Sequence, residues 1–479
     1  HRDIGKLVFA TLRDATGDLQ IAVSKKSVDA QSMKLAKLAD LGDIVVVEGP
    51  LGTTKTGEVT VWADGEGAFE LACKSLAPPP EKWSGLKDPE LRYRKRYVDL
   101  YANPEVMRTM QLRIRIIDEI RQYLRDRGYV EVETPMLQSV QGGAAARPFT
   151  THHNALDIPL YLRIAPELYL KRLLVGGMPK VFEINRNFRN EGVSPRHNPE
   201  FTMLEAYEAF GSWETMADLV EDMVCTVAQN VFGTLKIEHV AESSRGSREE
   251  EAGHEGAKVT KSINLERPWR RVSMVDLVEE RTGWKFDRRP LVEDRELRPD
   301  SGFSIELIDE LSDKLMHEKM VESHKNIDPN EWLMRSLDGL AAISPAEQLV
   351  EVYEKLIEPT LIDPCFVTRV PGVVIPLARR CADDDYFADV YELAINGLEI
   401  SPGYSELNDP AIQEAQFRGQ VGDREEQQQV DEDFLEALRV GMPPAGGMGL
   451  GIDRLVMMLT GAESIRDVIL FPLMRPQST

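Results

Sequence analysis

Three consecutive prolines at residues 78–80 divide the chain into two parts of different length and pattern. Proline fixes its own φ and lacks a backbone N–H, so neither a helix nor a central strand continues through the triplet. Short β-branched runs precede it, whereas long helical patterns mixed with strands follow it. The chain therefore predicts a small domain at 1–77, a linker at 78–97 and a large domain at 98–479.

The charge of the chain is strongly acidic but unevenly distributed. Its 57 Lys and Arg against 80 Asp and Glu give a formal net charge of −23, which argues against general nucleic-acid binding. Residues 92–127 nevertheless hold ten basic and five acidic residues. Such a run is either a solvated helix face or a contact with an RNA backbone. Residues 1–75 count nine basic against eleven acidic residues, so any RNA contact there is selective rather than electrostatic.

Several classes of protein are excluded by simple counts. No run of about 18 apolar residues occurs, which predicts that this chain contains no membrane-spanning helix. The four cysteines are too scattered for a zinc site or a disulfide framework, and a reducing cytoplasmic location is expected. The chain begins at His1 without an initiator Met, so we expect the first domain to be truncated at its start.

The first domain reads as a small β-barrel. Strand-like runs occur at 7–12, 19–23, 43–49 and 58–63, with one helical stretch at 30–41. Any five-stranded sandwich would show the same pattern. The second domain opens with apolar residues at helical spacing over 105–127 and then alternates like a strand to Pro135.

Two later segments of the large domain carry no recognisable chemistry. A mobile insertion is expected near 241–262, because these residues are mostly polar and lack periodicity. Amphipathic helical patterns over 275–362 indicate a helical elaboration of the same domain.

A strand–loop–strand unit over 182–207 is the first segment that indicates chemistry. Arg189 and Glu191 are expected to share one face of its first strand, and Glu205 and Tyr207 one face of its second. An arginine beside carboxylates suits a zwitterionic or phosphate-bearing ligand. A surface hairpin with exposed salt bridges is the alternative.

Two further segments are informative only in combination with the first. Glycines from 446 lead into an apolar helical run to 459, which favours close approach of an anion but lacks the P-loop pattern. Glu392 and Glu399 flank a turn at Asn396-Gly397, where paired carboxylates can hold Mg²⁺ together with phosphates. Two solvated glutamates would look the same.

Taken together, these segments resemble the class II aminoacyl-tRNA synthetases and, within them, the lysyl-tRNA synthetase family. The segment Gly-Tyr-Val-Glu-Val-Glu-Thr-Pro at 128–135 is similar to motif 1, residues 188–207 to motif 2, and Gly-Leu-Gly-Ile-Asp-Arg at 449–454 to motif 3. Longer matches carry the lysyl assignment. They lie at 143–149, 151–154, 162–172, 404–410 and 465–472.

This resemblance implies an α+β fold: an amino-terminal OB-type anticodon-binding barrel, then a catalytic domain built on an antiparallel sheet flanked by helices. It implies a lysine–tRNA ligase that forms lysyl-adenylate from ATP and L-lysine and transfers the lysine to tRNA(Lys), releasing AMP and pyrophosphate. It further implies Mg²⁺ as cofactor and a homodimer formed through the motif 1 region.

The resemblance also assigns roles to individual residues. Arg189 and Arg454 would be the catalytic pair, and Glu392 and Glu399 would hold Mg²⁺. The ATP site would comprise Arg189, Glu191, Arg196, His197, Asn198, Phe201 and Arg454. The amino-acid site would comprise Glu167, Arg189, Glu205, Tyr207, Tyr404 and Glu406. In the barrel, Phe9 would stack on an anticodon base and Gln20 would read a base edge.

Two departures from the family pattern concern the substrate. Pro402 stands where the family has an asparagine expected to contact the amino acid, and 366–377 carries Arg369 and Ile375-Pro-Leu in place of the usual residues. Both bear on lysine affinity or specificity. Pro402 supplies neither a side-chain amide nor a backbone N–H, and Ser401 is a candidate to compensate.

Three rival functions are compatible with parts of the sequence. A paralogue that passes lysine to a protein would lack the barrel, and one that passes it to lipid would need a transmembrane region. A degenerate RNA-binding regulator has no need of an ATP–Mg²⁺ site. Aspartyl and asparaginyl relatives share the architecture, but Glu167 and Glu406 would repel an acidic substrate.

Overall fold

The computed structural model describes residues 1–14, 16–77, 86–143, 146–240, 259–320, 329–420 and 430–476. The chain forms two compact units, His1–Pro104 and Glu105–Thr479. Within the described ranges, no helix is long and apolar enough to cross a membrane. The proline triplet and the rest of 78–85 lie outside the described residues.

The first unit is built from two small sheets and three helices. Its strands are β1 (Arg2–Asp3), β2 (Leu7–Asp14), β3 (Gly17–Val28), β4 (Ile44–Val47), β5 (Leu51–Thr53), β6 (Val59–Gly65) and β7 (Phe69–Cys73). Its helices are α1 (Ala30–Leu38), α2 (Pro89–Arg94) and α3 (Arg96–Ala102). One sheet has the order β1-β2-β3-β6-β5, and β4 pairs with β7 as a second. Val8, Ile21, Val23 and Phe69 pack together in the core of this unit.

The end of the predicted linker is helical. Asp88 caps α2, and Arg92 and Arg96 both contact the buried carboxylate of Asp99 at 3.0 and 2.5 Å. These two arginines of the basic run therefore stabilise a helix pair, because their charge is already paired with a buried partner.

The second unit is built on an eight-stranded sheet of order β16-β19-β20-β21-β22-β13-β12-β8. Its strands are β8 (Val130–Glu131), β12 (Lys180–Phe188), β13 (Glu200–Ala209), β16 (Arg270–Ser273), β19 (Cys365–Thr368), β20 (Val390–Ile395), β21 (Leu398–Ser405) and β22 (Ala445–Gly451). All neighbours are antiparallel except the two outermost pairs. The predicted strand at 130–134 is shorter than expected: only two of its residues pair with β12.

Small sheets and helices surround this sheet. The remaining strands are β9 (Leu137–Gln138), β10 (Thr150–His153), β11 (Ile158–Leu162), β14 (Lys236–Val240), β15 (Val259–Asn264), β17 (Val292–Glu293) and β18 (Glu296–Leu297). The helices are α4 (Pro104–Asp126), α5 (Glu167–Val175), α6 (Trp213–Phe232), α7 (Met274–Thr282), α8 (Ile305–Met320), α9 (Pro329–Ala341), α10 (Pro345–Val352), α11 (Pro410–Gln420), α12 (Glu432–Gly441), α13 (Ile452–Thr460) and α14 (Ile465–Val468).

The two faces of the large sheet are covered by different helices. One face packs on α4, α6 and α13 through a single apolar cluster that includes Phe182, Leu204, Met448 and Leu450. The other face is covered partly by α5 and α12 and partly by α7–α10. The predicted helix at 105–127 and the helical elaboration are thus present, and the α+β class is confirmed.

The insertion predicted near 241–262 is too long at its carboxyl end. Residues 241–258 lie outside the described residues, but 259–262 belong to β15. This strand pairs with β14, and its Ile263 is fully buried opposite Ile237. The alternation of β15 was hidden by the polar residues before it.

Candidate functional site

The face of the large sheet that is covered by α5 and α12 carries most of the predicted site residues. The strand register aligns Glu205 with Gly449 and Tyr207 with Gly447 across β13 and β22, and Tyr404 with Gly447 across β21 and β22. Residues opposite each other in a ladder point to the same face. Three central strands therefore bring these side chains together.

The glycines that lead into the predicted helical run form a strand, β22. The segment Gly-Met-Gly-Leu-Gly at 447–451 alternates with period two, so Met448 and Leu450 enter the core and the glycines face the site. A Cβ on Gly447 would lie 2.0 Å from Glu406 Oε1 and 2.5 Å from Tyr207 Cε1. The missing side chains make room for groups from the neighbouring strands.

A bulge in β21 sets the direction of Glu399. Asn396 and Gly397, both at positive φ, form the expected two-residue turn. Glu392 pairs with Pro402 and Ala394 with Glu399, so the two glutamates are not directly opposite as expected. The extra residue, Ile400, nevertheless puts Glu399 on the same face as Glu392.

This pair of glutamates lies in an acidic environment. Burial and then the charges of Glu399, Glu354 and Glu358 raise the pKa of Glu392 well above its usual range. Burial and then the charges of Glu399 and Glu354 raise the pKa of Glu358 to about 7. Among the described residues, no group of three or more His, Cys, Asp or Glu is arranged to hold a metal ion unaided.

A second carboxylate cluster lies where the amino-acid site is predicted. Glu167 begins α5, and Glu406 follows β21; both are buried. Between them lies Lys171, whose Nζ is 2.7 Å from Glu167 Oε1 and 2.5 Å from Glu406 Oε2. Burial lowers the pKa of Lys171, but the two carboxylates outweigh that effect and raise it to about 12. Nothing in the sequence singles out this lysine, because it reads as one more residue of an amphipathic helix.

Glu205 and Tyr207 complete this cluster. Tyr207 Oη donates a hydrogen bond to Glu205 Oε2 at 3.2 Å. Burial, and then the charge of Glu167, raise the pKa of Glu205 to about 8. Burial likewise raises the pKa of Glu406 to about 7, although Lys171 opposes the shift. The cluster therefore has a deficit of positive charge.

The residues predicted to bind the nucleotide lie in the loop after β12 and at the start of β13. β12 ends at Phe188, so Arg189 and Glu191 lie in the loop rather than on the strand as predicted. The loop starts there because Gly192 and Pro195 interrupt the strand pattern. The Arg189 guanidinium lies 5.2 Å from the centre of the Phe201 ring, and its Nε has no hydrogen-bond partner in the described part of the chain.

The same loop reaches Arg454 through a histidine. Arg454 Nη2 lies 3.2 Å from His197 Nε2, and Arg454 Nη1 donates to the Glu399 carbonyl at 2.8 Å. Asn198 is buried and donates to the Glu200 carbonyl at 2.6 Å. Arg196 and Glu191 are exposed on the loop.

The two family departures lie at different distances from this site. Pro402 is on the site face, and the β21–β22 ladder ends at Gly403, since proline has no N–H to continue it. Ser401 Oγ donates to the Gly449 carbonyl at 2.5 Å, so the hydroxyl supports the sheet and faces away from the site. Arg369 pairs with Asp383, and only Leu377 of that segment reaches the cluster, with its carbonyl 3.4 Å from Lys171 Nζ.

The predicted anticodon residues share one face of the five-stranded sheet of the first unit. The register of β2, β3 and β6 puts Phe9, Gln20 and Trp62 on the same side. The rings of Phe9 and Trp62 are 6.3 Å apart, edge to face, and Thr60 Oγ1 donates to Gln20 Oε1 at 2.7 Å. Trp62 was not among the predicted anticodon residues, although an aromatic residue in a strand of this domain is itself an indication of base stacking.

Known proteins resemble the chain over both units. A family model described as tRNA synthetases class II (D, K and N) matches residues 88–475, and one described as an OB-fold nucleic acid binding domain matches residues 1–66. The lysine–tRNA ligase of Carboxydothermus hydrogenoformans is 46% identical over 99% of this chain and 87% of its own length. The lysine–tRNA ligase of Bacillus subtilis is 44% identical over 99% of this chain and 85% of its own length.

Proposed function

The chain belongs to the class II tRNA synthetases (D, K and N), and we propose that it activates L-lysine with ATP and transfers the lysine to tRNA(Lys). It is an aminoacyl-tRNA ligase that forms AMP and pyrophosphate. The amino-terminal unit is an OB-fold domain, and the second unit is the class II synthetase domain.

The observation that carries the choice of lysine is the balance of charge in the buried cluster. Glu167, Glu205 and Glu406 are three carboxylates, and Lys171 is the ammonium held between two of them. An acidic amino acid would add like charge to a site that already lacks cations. A neutral one would leave buried carboxylates unpaired, which is the strongest basis for rejecting an analogue.

The mechanism requires no nucleophile or general base from the protein. The lysine carboxylate attacks the α-phosphorus of ATP and pyrophosphate leaves; the terminal hydroxyl of the tRNA then attacks the carbonyl of the adenylate and AMP leaves. The contribution of the protein is to position the reactants and stabilise the developing charge. Arg189 would grip the α-phosphate and the carboxylate of lysine. Glu167 would bind the α-ammonium, and Glu406 with Tyr207 the ε-ammonium. Arg189 Nε and Glu406 Oε1 have no hydrogen-bond partner among the residues that the structure describes, which supports these roles.

The remaining nucleotide contacts follow from the loop geometry. Phe201 would stack on one face of adenine and Arg454 on the other, and Arg454 with Arg196 would reach the γ-phosphate. Glu191, His197 and Asn198 would line the adenine side. The contact between His197 and Arg454 supports this arrangement, because it joins the loop to the helix that carries the second arginine.

Mg²⁺ fits between Glu392 and Glu399. Both groups offer hard oxygen donors on one face, and burial together with the charge of Glu399 raises the pKa of Glu392, a cost that a bound cation would relieve. When bound with ATP, the ion would neutralise phosphate charge. The two glutamates would hold it, with phosphate oxygens completing the ligand set.

The tRNA and a second copy of the chain are the proposed macromolecular partners. Phe9 would stack on an anticodon base, and Gln20 would read a base edge. The aromatic ring of Trp62, which lies edge to face with Phe9 on the same face, supports base stacking there. A homodimer would form through the motif 1 region. Val130, Met136 and Leu137 support it, because about half of the surface of each is exposed.

ATP–pyrophosphate exchange with each of the twenty amino acids, followed by tRNA charging, tests this function. Exchange with L-lysine alone and charging of tRNA(Lys) are expected. Faster exchange with another amino acid would refute the substrate. Exchange without charging would favour a non-tRNA acceptor, and no exchange at all would favour a degenerate RNA-binding protein.

A further inference from the structure

The pocket proposed for the substrate lysine already holds a lysine of the protein. Lys171 is fully buried, and its Nζ lies 2.7 Å from Glu167 Oε1, 2.5 Å from Glu406 Oε2 and 3.4 Å from the Leu377 carbonyl. Lys171 Nζ donates hydrogen bonds to Glu167 Oε1 and the Leu377 carbonyl, and its charge pairs with Glu406 Oε2. Lys171 is therefore committed to groups of the protein, and its influence on a substrate passes through the two glutamates.

Glu406 keeps one oxygen away from Lys171. Glu406 Oε1 is buried and has no hydrogen-bond partner in the described ranges, and it lies beside Gly447 and Tyr207. The ion pairs with Lys171 fix where this free oxygen points. If the ammonium of Lys171 were removed, Glu167 and Glu406 would no longer share a cation. Like charges in a buried site then move apart or take up protons.

The charge of the cluster follows from the same contacts. When all three carboxylates are ionised, the cluster holds one ammonium and lacks two positive charges, and the two ammonium groups of L-lysine would supply them. The titratable and charged groups that face the cluster are Glu167 on α5, Glu183 on β12 with its partner Arg163, Glu205 and Tyr207 on β13, and Tyr404 and Glu406 at the end of β21.

We propose that Lys171 is a positioning residue for amino-acid recognition, which orients Glu167 and Glu406 and sets the pocket to a charge that a two-ammonium substrate neutralises. This inference rests on the proposed activation of lysine. The pKa values of Glu205 and Glu406 are raised to about 8 and about 7, which agrees with a pocket whose carboxylates lack cationic partners until the substrate binds.

The Lys171→Met variant, which keeps most of the side-chain volume and removes the charge, is the direct test. In lysine-dependent ATP–pyrophosphate exchange we expect its KM for lysine to rise about 30-fold or more, with the KM for ATP within about twofold of wild type. Lys171→Arg, which keeps the charge, should recover part of the loss. Arg96→Met removes another buried cation, in α3 of the first unit, and should lower the melting temperature without changing the KM for lysine.

A measurement on the wild-type protein keeps the test valid if Lys171→Met does not fold. Calorimetry of lysine binding at pH 7, in buffers of different ionisation enthalpy, should show about one proton released per lysine bound, since the entering ammonium groups lower raised carboxyl pKa values. No proton release would overturn the inference. Failure of wild type to use lysine would overturn the proposed function instead, and an unchanged KM in Lys171→Met would overturn the inference alone.

Discussion

Asp453 Oδ2 accepts a hydrogen bond from the backbone N–H of Thr202 at 2.7 Å, and this contact ties the first turn of α13 to β13. The other oxygen, Oδ1, contacts Arg113 Nη1 of α4 at 2.5 Å, and Arg113 Nη2 also donates to Thr202 Oγ1 at 3.0 Å. Phe201 precedes Thr202 and Arg454 follows Asp453. The buried contact therefore sets the distance between the two residues proposed to sandwich adenine.

Replacing Asp453 by alanine should weaken ATP binding and destabilise the protein together. The change leaves the largely buried Arg113 without its charge partner, which typically costs about 3 kcal/mol. We expect a lower melting temperature and a KM for ATP raised about tenfold or more in pyrophosphate exchange, with a smaller change in the KM for lysine. Arg418→Met breaks an exposed pair within α11 and should cost no more than about 0.5 kcal/mol. A normal KM for ATP in Asp453→Ala would contradict the positioning role.

Gly447→Ala should selectively damage the amino-acid site. Its Cβ would lie 2.0 Å from Glu406 Oε1 and 2.5 Å from Tyr207 Cε1, so both side chains must move. The KM for lysine should rise about 100-fold, because a misplaced buried carboxylate loses most of its charge-assisted bond. The matched control is Gly419→Ala in α11, where no atom lies within 4 Å and helix propensity favours alanine by about 1 kcal/mol. Equal effects of the two substitutions would exclude the steric explanation.

The sequence indicated the elements better than the direction of their side chains. The period-two pattern of 447–451 was present in the sequence, but a run of glycines is more often a turn, and the pairing of β22 with both β13 and β21 decided otherwise. The facing of Glu399 depends on a bulge at Ile400, which the spacing between two glutamates does not encode. Lys171 meets Glu406 across more than two hundred residues, and a helical pattern alone does not indicate such a partner.

Lysine recognition should improve as the pH rises through the neutral range. Glu406 and Glu205 have pKa values raised to about 7 and about 8 in the free protein, and below those values they are protonated and cannot pair with ammonium groups. We therefore expect kcat/KM for lysine to increase from pH 6 to about 8.5 and then level off. The KM for ATP measured at saturating lysine serves as the control. A flat profile would show that the carboxylates are already ionised at pH 6, and a profile that falls over this range would contradict the need for ionised carboxylates.

Pro402→Asn should tighten lysine binding. Pro402 lies on the site face opposite Glu392, where an asparagine would add an amide and a backbone N–H. One new hydrogen bond to a charged substrate should lower the KM for lysine about threefold to tenfold. Ser401→Ala serves as the control: it removes the donor to the Gly449 carbonyl and should lower the melting temperature without lowering that KM. An unchanged or raised KM for lysine in Pro402→Asn would remove the explanation for this departure.

Substitutions on the barrel should affect tRNA and leave amino-acid activation intact. Phe9 and Trp62 lie edge to face on the side that also carries Gln20, and each aromatic ring that stacks on a base contributes about 1–3 kcal/mol. Phe9→Ala and Trp62→Ala should therefore each raise the KM for tRNA(Lys) in aminoacylation about 5-fold to 150-fold, whereas lysine-dependent pyrophosphate exchange should remain at the wild-type rate. Tyr97→Ala offers a matched control, since this exposed aromatic residue lies on α3 instead of the barrel strands. If the two barrel variants charge tRNA with normal KM, base stacking on this face is wrong, and a loss of exchange would instead indicate that the substitutions disturb the fold.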